Sequence, residues 1–356
     1  MRISTYDKFI KENIAPPNAK SIGIYNSYNR RVGGFGLQSL ALPDVGDKLY
    51  SFMAISDSHI IGVASNDGDM DLKRALDYAE NNNDISFTCH CGDVVDSGTP
   101  YRLGEFKNLK AKYTKPIRVI TGNHEEITAT GNVELAYNSL TEYYGDPLYY
   151  SFNCENDVFI MLGESGYTTG SMFADGELQF MYNTLEANRN KRCFVFMHVF
   201  NYTEGDSGTL CGQYGSDVFL SGDSAYRQKE KECFLNLLRH YKNSIWFHGH
   251  SHARIEMQGA DRGANYSEAL GYRSVHIPSI TKPKDLINGS VVTLDELSQG
   301  YIVDVYSDNV VLRARDYVNN RWIPLGQYCL NTTIQTVSVT FSDSTGIINT
   351  GGDTVG

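Results

Sequence analysis

Apolar residues in this chain fall into two kinds of run. Short, nearly continuous stretches, "KLYSFMAIS" (48–56), "ISFTCHC" (85–91), "PIRVIT" (116–121), "DVFIMLG" (157–163), "RCFVFM" (192–197) and "SIWFH" (244–248), read as strands buried on both faces. Between them lie segments with a helical stripe. In "DMDLKRALDYAENN", Leu72, Ala75, Leu76 and Ala79 recur at i, i+3, i+4 and i+7, which puts them on one face of a helix. "ELQFMYNTLEAN" repeats the pattern with Leu178, Met181, Tyr182 and Leu185, and "SAYRQKEKECFLNLLRHYKN" is a longer third case. Strands alternating with helices predict an α/β domain with a largely parallel sheet.

The two ends depart from this pattern. Residues 16–47 are rich in Gly, Tyr and Asn, which predicts short strands joined by turns. The chain therefore divides into an N-terminal β-rich extension at a sheet edge (1–47), a main α/β domain (48–330) and a C-terminal piece (331–356). That last piece holds one alternating strand (Val337, Val339, Phe341) and a Gly/Thr/Ser-rich flexible tail. Inside the main domain, "NYTEGDSGTLCGQYGSDVFLSGDSAY" (201–226) is long enough to form a lid over a site.

Composition narrows the functions open to such a domain. Of 356 residues, 41% are hydrophobic, enough for a substantial core. The net charge of −11, from 42 acidic and 31 basic residues, is a poor match for long polyanions, so no nucleic-acid partner is expected. A small anionic substrate remains compatible if bound cations supply local positive charge. No run reaches the length of a membrane span, so no membrane partner is expected. The opening "MRISTYDKFIKENIAPP" lacks a signal-peptide apolar stretch. It predicts a cytoplasmic protein, or a secreted or surface-associated one if a leader has been removed. Seven scattered cysteines with no C-x-x-C pair read as buried thiols. Oligomeric state is left open.

The chemistry sits where the apolar runs stop. "FMAIS" leads into Asp57-Ser58-His59, and "ISFTCHC" into Gly92-Asp93-Val94-Val95-Asp96. "PIRVIT" gives Gly122-Asn123-His124-Glu125, "RCFVFM" ends at His198, and "SIWF" runs into His248-Gly249-His250-Ser251-His252. Ligand sites in α/β sheets form beyond the carboxyl ends of strands, so these ends would gather carboxylates, an amide and imidazoles into one volume. Each fragment alone has a bland explanation, such as a satisfied core histidine for His198 or a helix N-cap for Asp96. As a set they are costly to bury without cations. A mixed N/O donor set points to first-row transition metals, and it is too large for one tetrahedral ion.

In this order the motifs D-x-H, G-D-x-x-D, G-N-H-E, a lone His and G-H-x-H resemble the calcineurin-like metallophosphoesterase family, over residues 57–252. The resemblance implies a four-layer α/β/β/α sandwich of two mixed sheets flanked by helices. "VHIPSI" (275–280) and "GYIVDVYSDNVVLRAR" (300–315) would be its closing strands. It implies two divalent or trivalent transition-metal ions (Mn, Fe or Zn). Asp57, His59 and His252 would hold one, Asn123, His198 and His250 the other, and Asp93 would bridge them. It further implies phosphate-ester hydrolysis, of a mono- or diester, by a metal-bridging hydroxide. His124 would be the general acid and Asp96 the carboxylate that orients it. His248 has no counterpart in the pattern and is expected nearby or facing solvent. The expected partner is a small phosphorylated substrate. Ser97 after the second Asp, and Asp96 where another branch has Tyr, favour the phosphodiesterase-type branch. Two alternatives stay open: a catalytically silent metal-binding scaffold, and a surface or phage-associated module acting on a phosphorylated polymer.

Overall fold

The structure is a computed structural model and describes residues 21–25, 31–36, 45–63, 66–126, 141–164, 173–199, 225–257, 265–268, 270–287 and 290–333. The expected lid (201–226) lies almost entirely outside these residues, as does the expected C-terminal strand and tail beyond residue 333. In the N-terminal region, β1 (Ser21–Tyr25) and β2 (Arg31–Gly36) form an antiparallel pair bonded into neither large sheet.

Each predicted apolar run forms a strand. β3 (Lys48–Ile55), β4 (Ile85–Cys91) and β5 (Ile117–Ile120) pair in parallel. β6 (Tyr149–Cys154) and β7 (Asp157–Leu162) form an antiparallel hairpin, and β8 (Cys193–Met197) and β9 (Ser244–His248) continue from β7 in parallel. Then come β10 (Tyr266–Ser267), β11 (Arg273–His276) and a separate hairpin, β12 (Lys284–Ile287) with β13 (Ser290–Thr293). β14 (Gln299–Tyr306), β15 (Asn309–Asp316) and β16 (Arg321–Asn331) close the fold. The strand orders are β16-β15-β14-β3-β4-β5 and β10-β11-β9-β8-β7-β6. Both sheets are mixed, so the expectation of a largely parallel sheet is corrected. The antiparallel strands come from hairpins, which the strand–helix alternation does not reveal.

Period-2 alternation explains the layering. In β3, Tyr50, Phe52 and Ala54 face the second sheet, while Met53 and Ile55 face helices. In β8, Phe194 and Phe196 face inward and Val195 and Met197 outward. The inter-sheet core is aromatic: Phe52 stacks on Phe87 at 5.5 Å and meets Phe159 edge-on at 5.1 Å. Each such ring contributes roughly 1.5–3 kcal/mol by leaving water.

Among the described residues, four helices cover the outer faces. α1 (Asp67–Glu80) and α2 (Pro100–Lys110) bury Leu72, Ala75, Leu76, Leu103 and Phe106 on the first sheet. α3 (Glu177–Ala187) and α4 (Ala225–His240) bury Met181, Leu185, Phe234 and Leu238 on the second. The four layers are thus α/β/β/α. Asn66 caps α1 by accepting from the Gly68 N–H, and Thr99 caps α2, with Pro100 in its first turn. Asp96 therefore is not the cap of α2.

One buried polar network ties the two sheets together away from the strand ends. Asp157 takes both Arg192 Nε (3.1 Å) and Nη2 (2.7 Å) and the Tyr50 hydroxyl (2.6 Å), while Arg192 Nη1 donates to the Tyr306 carbonyl at 2.9 Å. The six described cysteines are free thiols, with Cys89, Cys91 and Cys193 buried; Cys211 lies outside the described residues. Among the described residues, no helix is long and apolar enough to cross a membrane.

Candidate metal centre

The parallel strands of both sheets deliver their carboxyl ends to one edge of the sandwich. The loops there are tied to one another: the Asp57 N–H donates to the Gly92 carbonyl (3.1 Å), that of His59 to Asp93 (3.1 Å), and that of Gly249 to His198 (2.9 Å). These turns are tight. Asp57 (φ 55°), His59 (45°), Asp93 (52°), His250 (72°) and His252 (58°) all occupy the left-handed region. Non-glycine residues enter it at a cost, and such strain clusters at functional sites. Close approach also fixes two glycines. A Cβ on Gly92 (φ 86°) would sit 2.7 Å from the His198 ring, and one on Gly249 would sit 2.6 Å from Asp57 Oδ2.

The donor atoms converge. Asp57, His59, Asp93 and His252 present ligand atoms within 4.8 Å of one another, and so do Asp93, His198 and His250. Asp93 belongs to both groups. Asp57 Oδ1 lies 3.2 Å from His252 Nε2, and Asp93 Oδ2 lies 3.2 Å from His198 Nε2 and 3.8 Å from His59 Nε2. His59 Nε2 and His252 Nε2 face each other at 2.9 Å, and Asn123 Oδ1 is 2.9 Å from His250 Nδ1.

These atoms fit divalent ions. Donors about 2.0–2.2 Å from one cation stand roughly 3 Å apart, the spacing seen here. The atoms facing inward lack other work: Asp57 Oδ1 and His198 Nε2 are buried with no hydrogen-bond partner. Their opposite sides are engaged. Asp57 Oδ2 accepts from the His250 N–H (3.1 Å), and His198 Nδ1 donates to the Cys91 carbonyl (2.6 Å), which leaves Nε2 its lone pair when the ring is neutral.

The crowding of these groups sets their electrostatics. Burial opposes charge on the Asp57 carboxyl, but His252 and His198 beside it hold it well below the usual carboxylate range. Burial likewise opposes charge on His198, yet Asp93 and Asp57 raise its pKa well above the ordinary value. Burial pushes His59 down to about 4, which favours the neutral ring a cation needs.

His124 stands half-buried beside this cluster. Its backbone N–H donates to Asp93 Oδ1 (2.9 Å), and its ring meets His59 edge-on at 4.5 Å. Its Nδ1 donates to the backbone carbonyl of Asp96 at 2.9 Å. Burial alone would lower its pKa, but Asp93 and the Asp96 carbonyl raise it. The hydrogen bond to the His124 ring is made by the Asp96 main chain, while an Asp96 carboxylate oxygen lies within 4.8 Å of ring nitrogens of His59 and His124. The carboxylate is half-exposed and pairs with Arg102 at 2.7 Å, because α2 brings that guanidinium to it.

His248 is fully buried, not solvent-facing. Alternation on β9 sends it to the Trp246 side, 4.9 Å from that ring and 5.7 Å from His276. Sequence reasoning gave no role to Glu125, yet this buried carboxylate collects the N–H groups of Gly122 (2.7 Å), Asp93 (3.1 Å), Val94 (2.7 Å) and Val95 (3.1 Å), and the Tyr144 hydroxyl (2.9 Å). It locks the G-D and G-N-H loops together. Its place in G-N-H-E was the available signal. Segment 279–281 was also missed: Ser279 donates to the Asp57 carbonyl (2.9 Å) and Thr281 to the Ser58 carbonyl (3.0 Å).

The cluster opens into a cleft of about 580 Å³, lined by His59, Asp93, Asp96, Asn123, His124, His250 and His252, and further out by Lys282, Lys284 and Thr293. Of the arginines that could bind an anion, Arg254 pairs with Asp285 (2.5 Å) and Arg273 with Glu268 (3.3 Å). Arg262 lies outside the described residues.

Strand-end loops of this kind, on two facing sheets, define a metallophosphoesterase-type architecture. The profile of the calcineurin-like phosphoesterase family matches residues 50–254, more than half of the chain, and the chain belongs to that family. Among solved structures it is similar to Vacuolar Protein Sorting 29 from Cryptosporidium parvum, at 13% identity and a TM-score of 0.38, covering 80% of this chain and 100% of that one. It is also similar to Vps29 from Chaetomium thermophilum, at 11% identity and a TM-score of 0.37, covering 80% and 99%. No curated protein matches significantly.

Proposed function

We propose that this protein is a dimetal hydrolase of phosphate esters. The observation that carries the reading is Asp93, shared between two groups of buried carboxylate and imidazole donors whose inward atoms include the unpartnered Asp57 Oδ1 and His198 Nε2. Asp57, His59 and His252 would hold one ion, Asn123, His198 and His250 the other, with Asp93 between them. When bound, such ions supply Lewis acidity toward phosphoryl oxygens and acidify water near neutral pH.

The chain's own groups do the rest. His124 lines the cleft with Nδ1 held by the Asp96 carbonyl, which leaves Nε2 to protonate a departing alkoxide. Glu125 keeps the ligand loops in register without touching the cleft. The substrate is a small phosphorylated molecule, since the cleft is compact and the chain is acidic. The phosphodiesterase-type branch is preferred over the monoesterase one because of Ser97 and Asp96.

Metal analysis of the full-length protein, with p-nitrophenyl phosphate and bis(p-nitrophenyl) phosphate assayed side by side under Mn, Fe or Zn, tests the reading. Turnover of the diester that EDTA abolishes is expected. A fully loaded protein that cleaves neither ester overturns it and leaves the metal-binding scaffold.

A further inference from the structure

The histidines and acids of the cleft are accounted for by the proposed chemistry; the rest of its lining is not. Those residues are Ile61, Asn66, Thr281, Lys282, Lys284 and Thr293. The chain is acidic as a whole, at −11, yet this wall carries two ammonium groups. Lys282 Nζ lies 3.7 Å from Asp67, but both side chains are well exposed, so water and salt screen the pair. The carboxylate next to Lys284 in sequence, Asp285, is engaged by Arg254 at 2.5 Å.

Lys284 is held rigidly against the ligand loop. Its N–H donates to the His252 carbonyl (2.6 Å), and its carbonyl accepts from the Arg254 N–H (3.0 Å). Lys284 and Thr293 sit directly opposite each other across the β12–β13 hairpin, so their side chains leave on the same face, the one lining the cleft. Lys284 and Thr293 thus line the cleft from a hairpin whose backbone is bonded to His252.

We propose that Lys284, with Lys282 and Thr293, forms an anion subsite, and that the preferred substrates are phosphate esters whose leaving group carries a second phosphate. This rests on the phosphoesterase reading and adds the substrate class to it. Lysine binds phosphate as a point charge with three rotatable donors. The scissile phosphate has its own partners at the Asp93 end of the cleft, and about 580 Å³ leaves room for a second group. Beyond the metal-type donors the lining is mostly polar, with Ile61 its one apolar side chain. Two cations at the mouth also draw a doubly phosphorylated substrate in against the chain's overall charge.

The test is isothermal titration of the full-length, Mn-loaded protein with 1,4-butanediol bisphosphate and with 4-hydroxybutyl phosphate. Losing a hydrogen bond to a charged group corresponds to about tenfold in affinity. The wild type is expected to favour the bisphosphate by at least that factor. Lys284→Gln should lower the preference about tenfold toward equality, Lys284→Arg should restore it, and Thr293→Val should lower it less. Equal affinities in the wild type, or an unchanged preference in Lys284→Gln, overturn the subsite. Equal weakening of both ligands in Lys284→Gln places the lysine on the scissile phosphate and overturns it as well. Turnover of p-nitrophenyl phosphate and bis(p-nitrophenyl) phosphate by the same preparation separates the two ideas. Selective binding with neither ester cleaved sinks the phosphoesterase reading and leaves the subsite; turnover without selectivity does the reverse.

Discussion

The two halves of the first sheet share one core and end in opposite ways. In the parallel half, β3, β4 and β5 point their carboxyl ends the same way, and each runs into polar residues. Asp57, His59 and Asp93 there take left-handed backbone, and Asp57 Oδ1 is left without a partner. In the antiparallel half, a short turn joins β14 to β15, and the buried acids are matched. Asp304 accepts from Ser51 (2.6 Å) and Arg313 (2.9 Å), and Asp316 meets Arg321 at 3.2 Å. Parallel pairing lines strand ends up, so it gathers groups that no local partner satisfies. Antiparallel pairing returns the chain at once and pairs its charges on the way. Left-handed turns that carry carboxylate and imidazole donors therefore mark the working edge, and closed ion pairs mark the scaffold.

Substitutions at the two kinds of position should separate cleanly. The largest effect is expected at Asp93→Asn, which weakens the donor set common to both groups. Metal affinity should fall by more than the about 100-fold seen when only an outer partner of a ligand is lost, with activity lost in parallel and the fold retained. A variant that keeps its full metal load by mass spectrometry would break the sharing of Asp93. Next is His124→Ala, which should retain metal and lose about 10²–10⁴-fold in kcat on esters with poor leaving groups. Equal turnover on good and poor leaving groups would remove His124 as the proton donor.

The scaffold counterpart is Asp157→Ala. It strands the buried Arg192 guanidinium and should cost about 3–5 kcal/mol in denaturant unfolding, while metal affinity stays at the wild-type value. A loss of metal affinity would erase the distinction between edge and scaffold.

The smallest effect concerns two buried histidines behind the ligand loops. His90 touches Ser58 at 2.9 Å and His276 touches Ser251 at 2.8 Å, and burial pushes their pKa values down to about 3 and about 4. Both rings are neutral when folded and titrate near the ordinary histidine value when unfolded. The unfolded chain thus binds more protons below that value, and stability falls with pH from about 6.5 downward, levelling near the folded values. At pH 5 each ring should cost about 2 kcal/mol. His276→Gln should flatten the melting-temperature profile between pH 7 and 5, and an unaltered slope would assign the acid sensitivity elsewhere.

Much of this was legible in the linear pattern. Continuous apolar runs announced β3, β4, β5, β7, β8 and β9, because a strand covered on both faces needs apolar residues at every position. Other elements escaped, among them α2, β6, the β12–β13 hairpin and β16. α2 buries only Leu103 and Phe106, too few for a stripe, and β6 alternates between half-buried and exposed positions. The candidate donors were legible too, since each follows its strand directly.

The sequence by itself determined which residues stand at the strand ends and what chemistry they carry, because strand length and motif spacing are local properties. Only the tertiary structure decided how those ends meet. It turned the Asp96 carboxylate toward Arg102 and its carbonyl toward His124, and it sent His248 to the helix side of its sheet. It brought Glu125 under amides some 30 residues away and set Lys284 against His252. Those outcomes depend on sheet register and on which partner reaches a buried polar group first, and both are fixed by packing between segments far apart in the chain.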